Sequence, residues 1–247
     1  MWESAYSPSP GERGQELSLD QKRARIFGAL YLITFVTSIP ALLLYEPALR
    51  HPAGYIAGSG NVNKIYLGAL LELLLIISNI GTAVVIVPIM RRRFEELSIG
   101  YVTARIVEST FILVGIVCML GIATLQQQVA GASEATVAYT LAALKDWTFL
   151  LGPGWVVGWG NGLILGYLMY RTQLVPRPWP WLGLIGGPLI IISGTAVLFA
   201  GNHPSSTLRS LQGLATIPEF LWELFLGVYC LIWGFRRAAP ILGRSAS

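Results

Sequence analysis

Seven side chains in this sequence stand where polar chemistry is costly. Glu72, Arg105, Glu108, Glu219 and Glu223, with the amides Asn79 and Asn161, fall inside long apolar stretches. A charged group at the middle of a bilayer costs at least about 2.5–3.5 kcal/mol, so each one requires a partner or a function. Counted from the ends of those stretches, Glu72 and Glu223 lie roughly seven residues, or ~10 Å, inside one surface. Glu219 sits a turn above Glu223 on the same helix face. Arg105 and Glu108 lie about three and six residues inside the opposite surface, with Asn79 and Asn161 near ten, by the same helical rise.

Two chemistries follow from this spacing. Arg105 and Glu108 are three apart and can form an ion pair on one helix face, with Arg105 close enough to the interface to snorkel. Together with the two amides they are either polar glue between helices or the wall of a hydrated inward cavity. Glu72 and Glu223 have no lysine or arginine at similar depth in their own helices. If they are neighbours, two carboxyls in low dielectric can share a proton, which suits proton-coupled transport or acid catalysis on a hydrophobic substrate. If they are apart, each is hydrogen-bonded to an adjacent helix or faces a shallow, watery vestibule.

Glycine supplies a third pattern. Gly154, Gly158, Gly162 and Gly166 recur every fourth residue, three overlapping GxxxG units that let another helix backbone approach closely, within the chain or as a homodimer seam. Gly152-Pro153-Gly154 is expected to weaken the first turn of that helix, and a broken transporter-type helix is a further reading. Pro88 and Pro188 are expected to kink their helices.

Other chemistries find no footing. The sequence has no GxxxxGK[ST], HExxH, CxxC or GxSxG, so nucleotide hydrolysis and metalloprotease or serine-hydrolase chemistry are poor readings. Only His51 and His203 are present, both in expected loops, so no metal and no cofactor is expected. Cys118 and Cys230 differ in expected depth by roughly 16 Å, beyond the ~7 Å Cα separation a disulfide tolerates. Basic residues are spread along one membrane face, which gives nucleic-acid binding no support.

The elements that position the polar groups must be membrane helices. Of 247 residues 54% are hydrophobic and 12% charged, with a mean hydropathy of +0.61, against about 25% charged in an ordinary soluble domain. Six apolar stretches, at about 26–45, 65–89, 102–125, 147–170, 182–200 and 216–235, approach or exceed the ~20 residues that span a ~30 Å hydrocarbon core. Lipid leaves no backbone group unpaired, so they are helices, and there is no period-2 alternation of the kind a barrel shows. The fold expected is an all-α polytopic membrane bundle of six transmembrane helices.

Charge distribution orients it. With a cytoplasmic N-terminus the inside holds Arg13, Lys22, Arg23, Arg25, Arg91, Arg92, Arg93, Arg171, Arg177, Arg236, Arg237 and Arg244, and the outside loops hold Arg50, Lys64, Lys145 and Arg209. That bias places both termini in the cytoplasm. Tyr45, Tyr66, Tyr101, Trp147, Tyr170, Trp179, Trp181 and Phe235 fall near span ends, as an aromatic belt would. Residues 1–22 read as a disordered cytoplasmic tail rather than a cleavable signal, with Ser18-Leu19-Asp20-Gln21 as a capping box that starts the first helix. Residues 23–237 form the membrane domain and 238–247 a second cytoplasmic tail.

Four stretches in order carry a family likeness: Arg23 to Leu32, Arg105-Ile106-Val107-Glu108, Gly166 to Arg171 followed by Val175-Pro176-Arg177, and Glu223 with Gly234-Phe235-Arg236. The chain resembles, over about 23–237, a bacterial membrane family known as domain of unknown function 4386 (DUF4386). The loop Pro176 to Trp181 is richer in Pro and Trp than the family pattern. The resemblance implies the fold, a bacterial cytoplasmic membrane location and importance for Arg105, Glu108 and Glu223, without a substrate. Three functions stay open: a bundle with a polar cavity that binds or moves a small molecule or proton; an intramembrane enzyme using a glutamic acid on a lipid or isoprenoid; and a structural or regulatory subunit docking through the glycine stripe. Six spans without a clear internal repeat is small for a secondary transporter, so the first reading would call for a dimer.

Overall fold

The computed structural model describes residues 10–128, 131–201 and 205–242, and among them every regular element is helical. Seven helices build the fold: α1 (Pro10–Arg50), α2 (Val62–Met90), α3 (Glu95–Gln126), α4 (Ala132–Leu151), α5 (Gly166–Thr172), α6 (Pro180–Ala200) and α7 (Ser206–Ile232). Two π-helical segments, Gly152–Val156 and Gly158–Leu165, bridge α4 to α5. The bridged stretch Ala132–Thr172 is one continuous span, and six helices are thus long and apolar enough to cross a membrane. The outward surface is that of a lipid-facing protein: Phe199 is 87% exposed and Val36 69%, where a soluble domain would place polar groups.

The spans form a ring in chain order. α1 packs on α2, α2 on α3, α3 on α4 and on the π-helical segments, those segments on α6, α6 on α7, and α7 back on α1. Such a ring has an interior, and the interior is where the polar residues are found. At one end the ring is filled. Phe27, Tyr31, Ile86, Met90, Leu168, Trp222 and Phe235 are all buried there. Gln173, with a left-handed φ of 56°, ends α5, and the chain after α7 folds back under this end. The Arg236 amide donates to the Leu174 carbonyl at 2.8 Å, and Ile241 and Leu242 are buried. Asp20, 1% exposed, accepts two hydrogen bonds from Arg92 at 2.7 and 3.0 Å and one from Arg23 at 3.2 Å. We call this the basic end, since Arg91, Arg92 and Arg93 follow α2 here.

Replacing Arg92 by alanine would leave Asp20 with Arg23 alone. A lost hydrogen bond to a charged group is worth about 1.5–3 kcal/mol, so thermal unfolding in detergent should shift down by several degrees, and Arg92→Lys should restore part of it. An unchanged midpoint would show that this clasp does not hold the basic end shut.

Several expectations need correction. The tail expected over residues 1–22 is helical from Pro10, and residues 1–9 lie outside the described part. Ser18 is therefore inside a helix and caps nothing; Gln21 instead donates to the Phe235 carbonyl at 2.7 Å. The fourth span begins fifteen residues earlier than 147, and the sixth starts at Ser206 and ends at Ile232 rather than running 216–235. Tyr45, Tyr101 and Phe235 are no belt: each is at most 2% exposed. Residues 238–242 pack into the basic end instead of trailing as a tail, and 243–247 lie outside the described residues. His51 sits in the exposed link between α1 and α2, and Asn202-His203-Pro204 is outside the described residues. Cys118 and Cys230 are buried free thiols in different helices.

Candidate functional site

Each polar residue singled out above is carried on an inward face. On α2, Glu72, Asn79 and Thr82 follow at helical spacing, and all are buried. On α3, Arg105 and Glu108 are buried three apart. The Arg105 Nη1 donates to the Glu108 Oε2 at 2.8 Å, and Asn79 Nδ2 of α2 donates to the other carboxyl oxygen at 3.0 Å. Arg105 Nε reaches Thr82 Oγ1 at 3.3 Å. Its guanidinium also lies 5.3 and 5.8 Å from the ring centres of Tyr31 and Tyr101, within cation–π range. The two tyrosine hydroxyls are 3.0 Å apart. The ion pair foreseen from i, i+3 spacing is present, and it is wired to three helices.

The two polar layers read from the sequence are in contact. α7 starts ten residues earlier than expected, so Glu219 and Glu223 lie roughly 20 and 25 Å along it rather than near its mouth. The Glu223 carboxylate accepts a hydrogen bond from Asn161 Nδ2 of the fourth span, a residue assigned to the other layer. Asn161 sits in the second π-helical segment, and its carbonyl accepts from Trp222 Nε1 at 3.0 Å. π-helical geometry is rare, and where it occurs inside an α-helix it is frequently found at functional sites.

Glu72 has a partner that sequence reasoning missed. Lys145, expected in an outside loop, is 3% exposed on α4, with its Nζ 2.6 Å from Glu72 Oε1 and 5.0 Å from the Tyr45 ring centre. One signal could have found it. Ala138, Ala142, Lys145 and Thr148 repeat at i, i+4, i+7 and i+10 and form the buried face of α4, an amphipathic register that the adjacent Asp146 disguises as an interface.

Glu219 is different again. It is 2% exposed, and neither carboxyl oxygen has a hydrogen-bond partner. Buried carboxyls are almost always satisfied, so an orphaned one calls for explanation. Its Oε2 lies against the backbones of Gly162 and Gly186, where an added Cβ would come within 3.0 and 2.9 Å.

These groups surround one cavity of about 240 Å³. Glu72, Glu108, Glu219 and Glu223 line it with Arg105 and Lys145, among apolar walls from α1, α6 and α7. Four carboxyls thus face two cations. Phe149, Pro153, Ile190 and Thr216 are shared with a wider cavity of about 900 Å³, which opens between Arg50 and Arg209 at the end opposite the basic one. The wider cavity opens at that end, and the packed core fills the other. Among the described residues no three of His, Cys, Asp and Glu are placed to hold a metal ion.

The glycine stripe meets α6. Gly158 and Gly162 face Gly187 so closely that a Cβ on Gly187 would lie 2.5 Å from the Gly158 carbonyl oxygen and 3.1 Å from Gly162 Cα, and Gly166 faces Leu184. Gly154 approaches Gly194 through its carbonyl. The stripe is a contact within the chain. Gly152-Pro153-Gly154 lies in mid-span, where α4 gives way to π-helix, rather than at the first turn. Pro88 and Pro188 lie inside α2 and α6, with Pro40, Pro47 and Pro218 similarly placed in α1 and α7.

Compared with known proteins, the model of a family described as "Domain of unknown function (DUF4386)" matches residues 26–234. No curated protein and no solved structure matches the chain. The matched region takes in all six spans and every residue of the cavity wall.

Proposed function

The chain belongs to the DUF4386 family, and from that premise we propose that it is a multi-pass protein of a bacterial cytoplasmic membrane, both termini cytoplasmic, whose carboxylate-lined cavity binds and moves a small molecule or proton. The orientation rests on arginine and lysine placement, which sharpens once Lys145 is counted inside a span: Arg50, Lys64 and Arg209 are then the cations of the opposite side. One observation carries the functional reading. Four carboxyls and two cations from four spans converge on a cavity that adjoins a wider one open at one end, while the other end is filled by packed core. Many solute carriers hold their sites near mid-membrane where a helix departs from regular α geometry, and the π-helical part of the fourth span that carries Asn161 is such a departure.

An acid catalyst is less well supported. Glu72 is paired with Lys145, Glu108 with Arg105, and Glu223 accepts from Asn161, so of the cavity carboxyls Glu219 alone would be left for that role. A docking subunit loses its proposed seam, since α6 already occupies the glycine stripe.

The test is access. Thr148 lines the cavity beside Lys145. With Cys118 and Cys230 replaced by serine, Thr148→Cys should react with a membrane-impermeant cationic thiosulfonate added from the Arg50 side, and not from the basic side. The surplus of carboxyls should make that reaction about tenfold faster than with an anionic thiosulfonate. A cysteine that stays unreactive from both sides, or that prefers the anion, would sink the reading.

A further inference from the structure

We propose that the occupant of this cavity is an amphipathic primary amine, its ammonium held by Glu219 and its apolar chain entering from the bilayer between α1 and α7. The inference rests on the cavity reading above and names its ligand class. Three observations carry it.

The first is which atoms lack partners. Among the described residues every fully buried side-chain atom without a hydrogen-bond partner is an oxygen, and those on the cavity wall are both Glu219 carboxyl oxygens and Glu72 Oε2. At Glu219 the cavity is short of donors and of positive charge, whereas Glu72 has the Tyr45 hydroxyl beside it. An ammonium supplies three donors, one charge and no acceptor that would itself go unpaired. A carboxylate, phosphate or carbonyl ligand would add acceptors to a wall that already has too many.

The second is size. About 240 Å³ is below the 300–1,000 Å³ usual for sites that enclose a drug-sized molecule. It accommodates a headgroup and a few methylenes, so the rest of a longer chain must lie outside the cavity.

The third is the seam between α1 and α7. Towards the basic end the two helices are in tight contact: a Cβ on Gly227 would come within 2.8 Å of Leu32, and Phe35 meets Phe220 edge-on at 5.1 Å. One turn farther the same seam loosens. Ile39 and Leu42 of α1 and Thr216 of α7 all line the cavity and are exposed, Ile39 at 47% and Leu42 at 44%. Cavity-lining residues this exposed, on two adjacent helices, put the cavity's mouth at their seam. Pro218 sits beside it in α7 and leaves the Leu214 carbonyl without its helical donor. Beyond it Gly213 has nothing within 4 Å of an added Cβ. The rim is apolar on the lipid side, and Glu219 lies one residue from Phe220 on its inner edge. An alkyl chain can stay in lipid while its ammonium enters.

The experiment compares four probes on the full chain in lipid nanodiscs, with empty nanodiscs subtracted: dodecylamine, dodecyltrimethylammonium, 1-dodecanol and ethylamine. Dodecylamine should bind saturably, at least tenfold tighter than dodecyltrimethylammonium, which has the charge without the donors, and tighter than dodecanol. Glu219→Gln should weaken it at least tenfold at an unchanged melting temperature, and Ile39→Trp, at an exposed rim position, should slow its binding several-fold. Equal affinity for the trimethyl analogue, or full affinity in Glu219→Gln, would overturn the ligand assignment. Ethylamine bound as tightly as dodecylamine would overturn the lateral route. If no amine binds while Thr148→Cys still reacts from the Arg50 side, the ligand class fails and the cavity reading stands; if that cysteine is inert as well, both fail together.

Discussion

Lys145→Met is expected to be among the most damaging single changes in this protein. The ammonium and the Glu72 carboxylate are both buried and 2.6 Å apart, with the Tyr45 hydroxyl as the other polar group beside Glu72. Removing the lysine leaves a lone carboxylate in a low-dielectric interior, and breaking a buried pair from one side costs about 3–5 kcal/mol. For a chain of this size each kcal/mol moves the midpoint by roughly 2–4 °C, so thermal unfolding in detergent should fall on the order of 10 °C. The double variant Glu72→Met with Lys145→Met is the informative partner. Replacing both charges by apolar groups of similar length is often neutral or stabilising, so much of the loss should return. If the double variant is no more stable than Lys145→Met, the pair does not behave as a coupled ion pair. The cycle also separates structure from function, because a stable double variant that no longer takes up the cavity's ligand assigns these charges to binding.

The second large effect is steric. Gly187→Val places a branched side chain where α6 crosses the second π-helical segment, with a Cβ 2.5 Å from the Gly158 carbonyl oxygen and 3.1 Å from Gly162 Cα. Both neighbours are backbone, so no rotamer relieves the clash and the helices must separate. Overpacking of a close site costs typically about 1–3 kcal/mol and at times more, and here the displaced segment carries Asn161 and walls in Glu219. The expected outcome is a folded yield reduced several-fold and loss of Thr148→Cys labelling selectivity. Gly213→Ala is the control: its Cβ meets nothing within 4 Å, and trading glycine for alanine in a helix should leave stability unchanged or raise it by up to about 1 kcal/mol. A Gly187→Val protein as stable as Gly213→Ala would show that the crossing is not tight.

Legibility differs from residue to residue for identifiable reasons. The Arg105–Glu108 pair was readable because both partners lie on one helix at i, i+3, so local geometry alone brings them together. The glycine stripe was readable for the same reason, though not its partner: nothing in one helix's repeat says which helix fills the groove, and Gly187 of α6 does so. The Glu72–Lys145 pair was not, because its members are 73 positions apart and belong to different helices. Span limits erred at the fourth and sixth helices, where polar residues such as Lys145 and Asp146 interrupt the apolar run. Hydropathy treats such an interruption as a membrane surface, whereas a helix that faces a polar cavity continues through it.

The seven costly polar residues all face the interior, in an arrangement other than the one their spacing suggested. Composition, span length and charge asymmetry were sufficient to specify a six-span helical membrane protein, because a bilayer admits few backbone solutions and hydropathy is a one-dimensional property. Which carboxyl is paired, which is orphaned and what they jointly enclose depended on the packing of the ring. Glu72 found Lys145, Glu223 found Asn161, and Glu219 was left facing a cavity with an apolar rim. Those relations are set by helix neighbours and rotations, which are three-dimensional quantities that no periodicity along a single helix encodes.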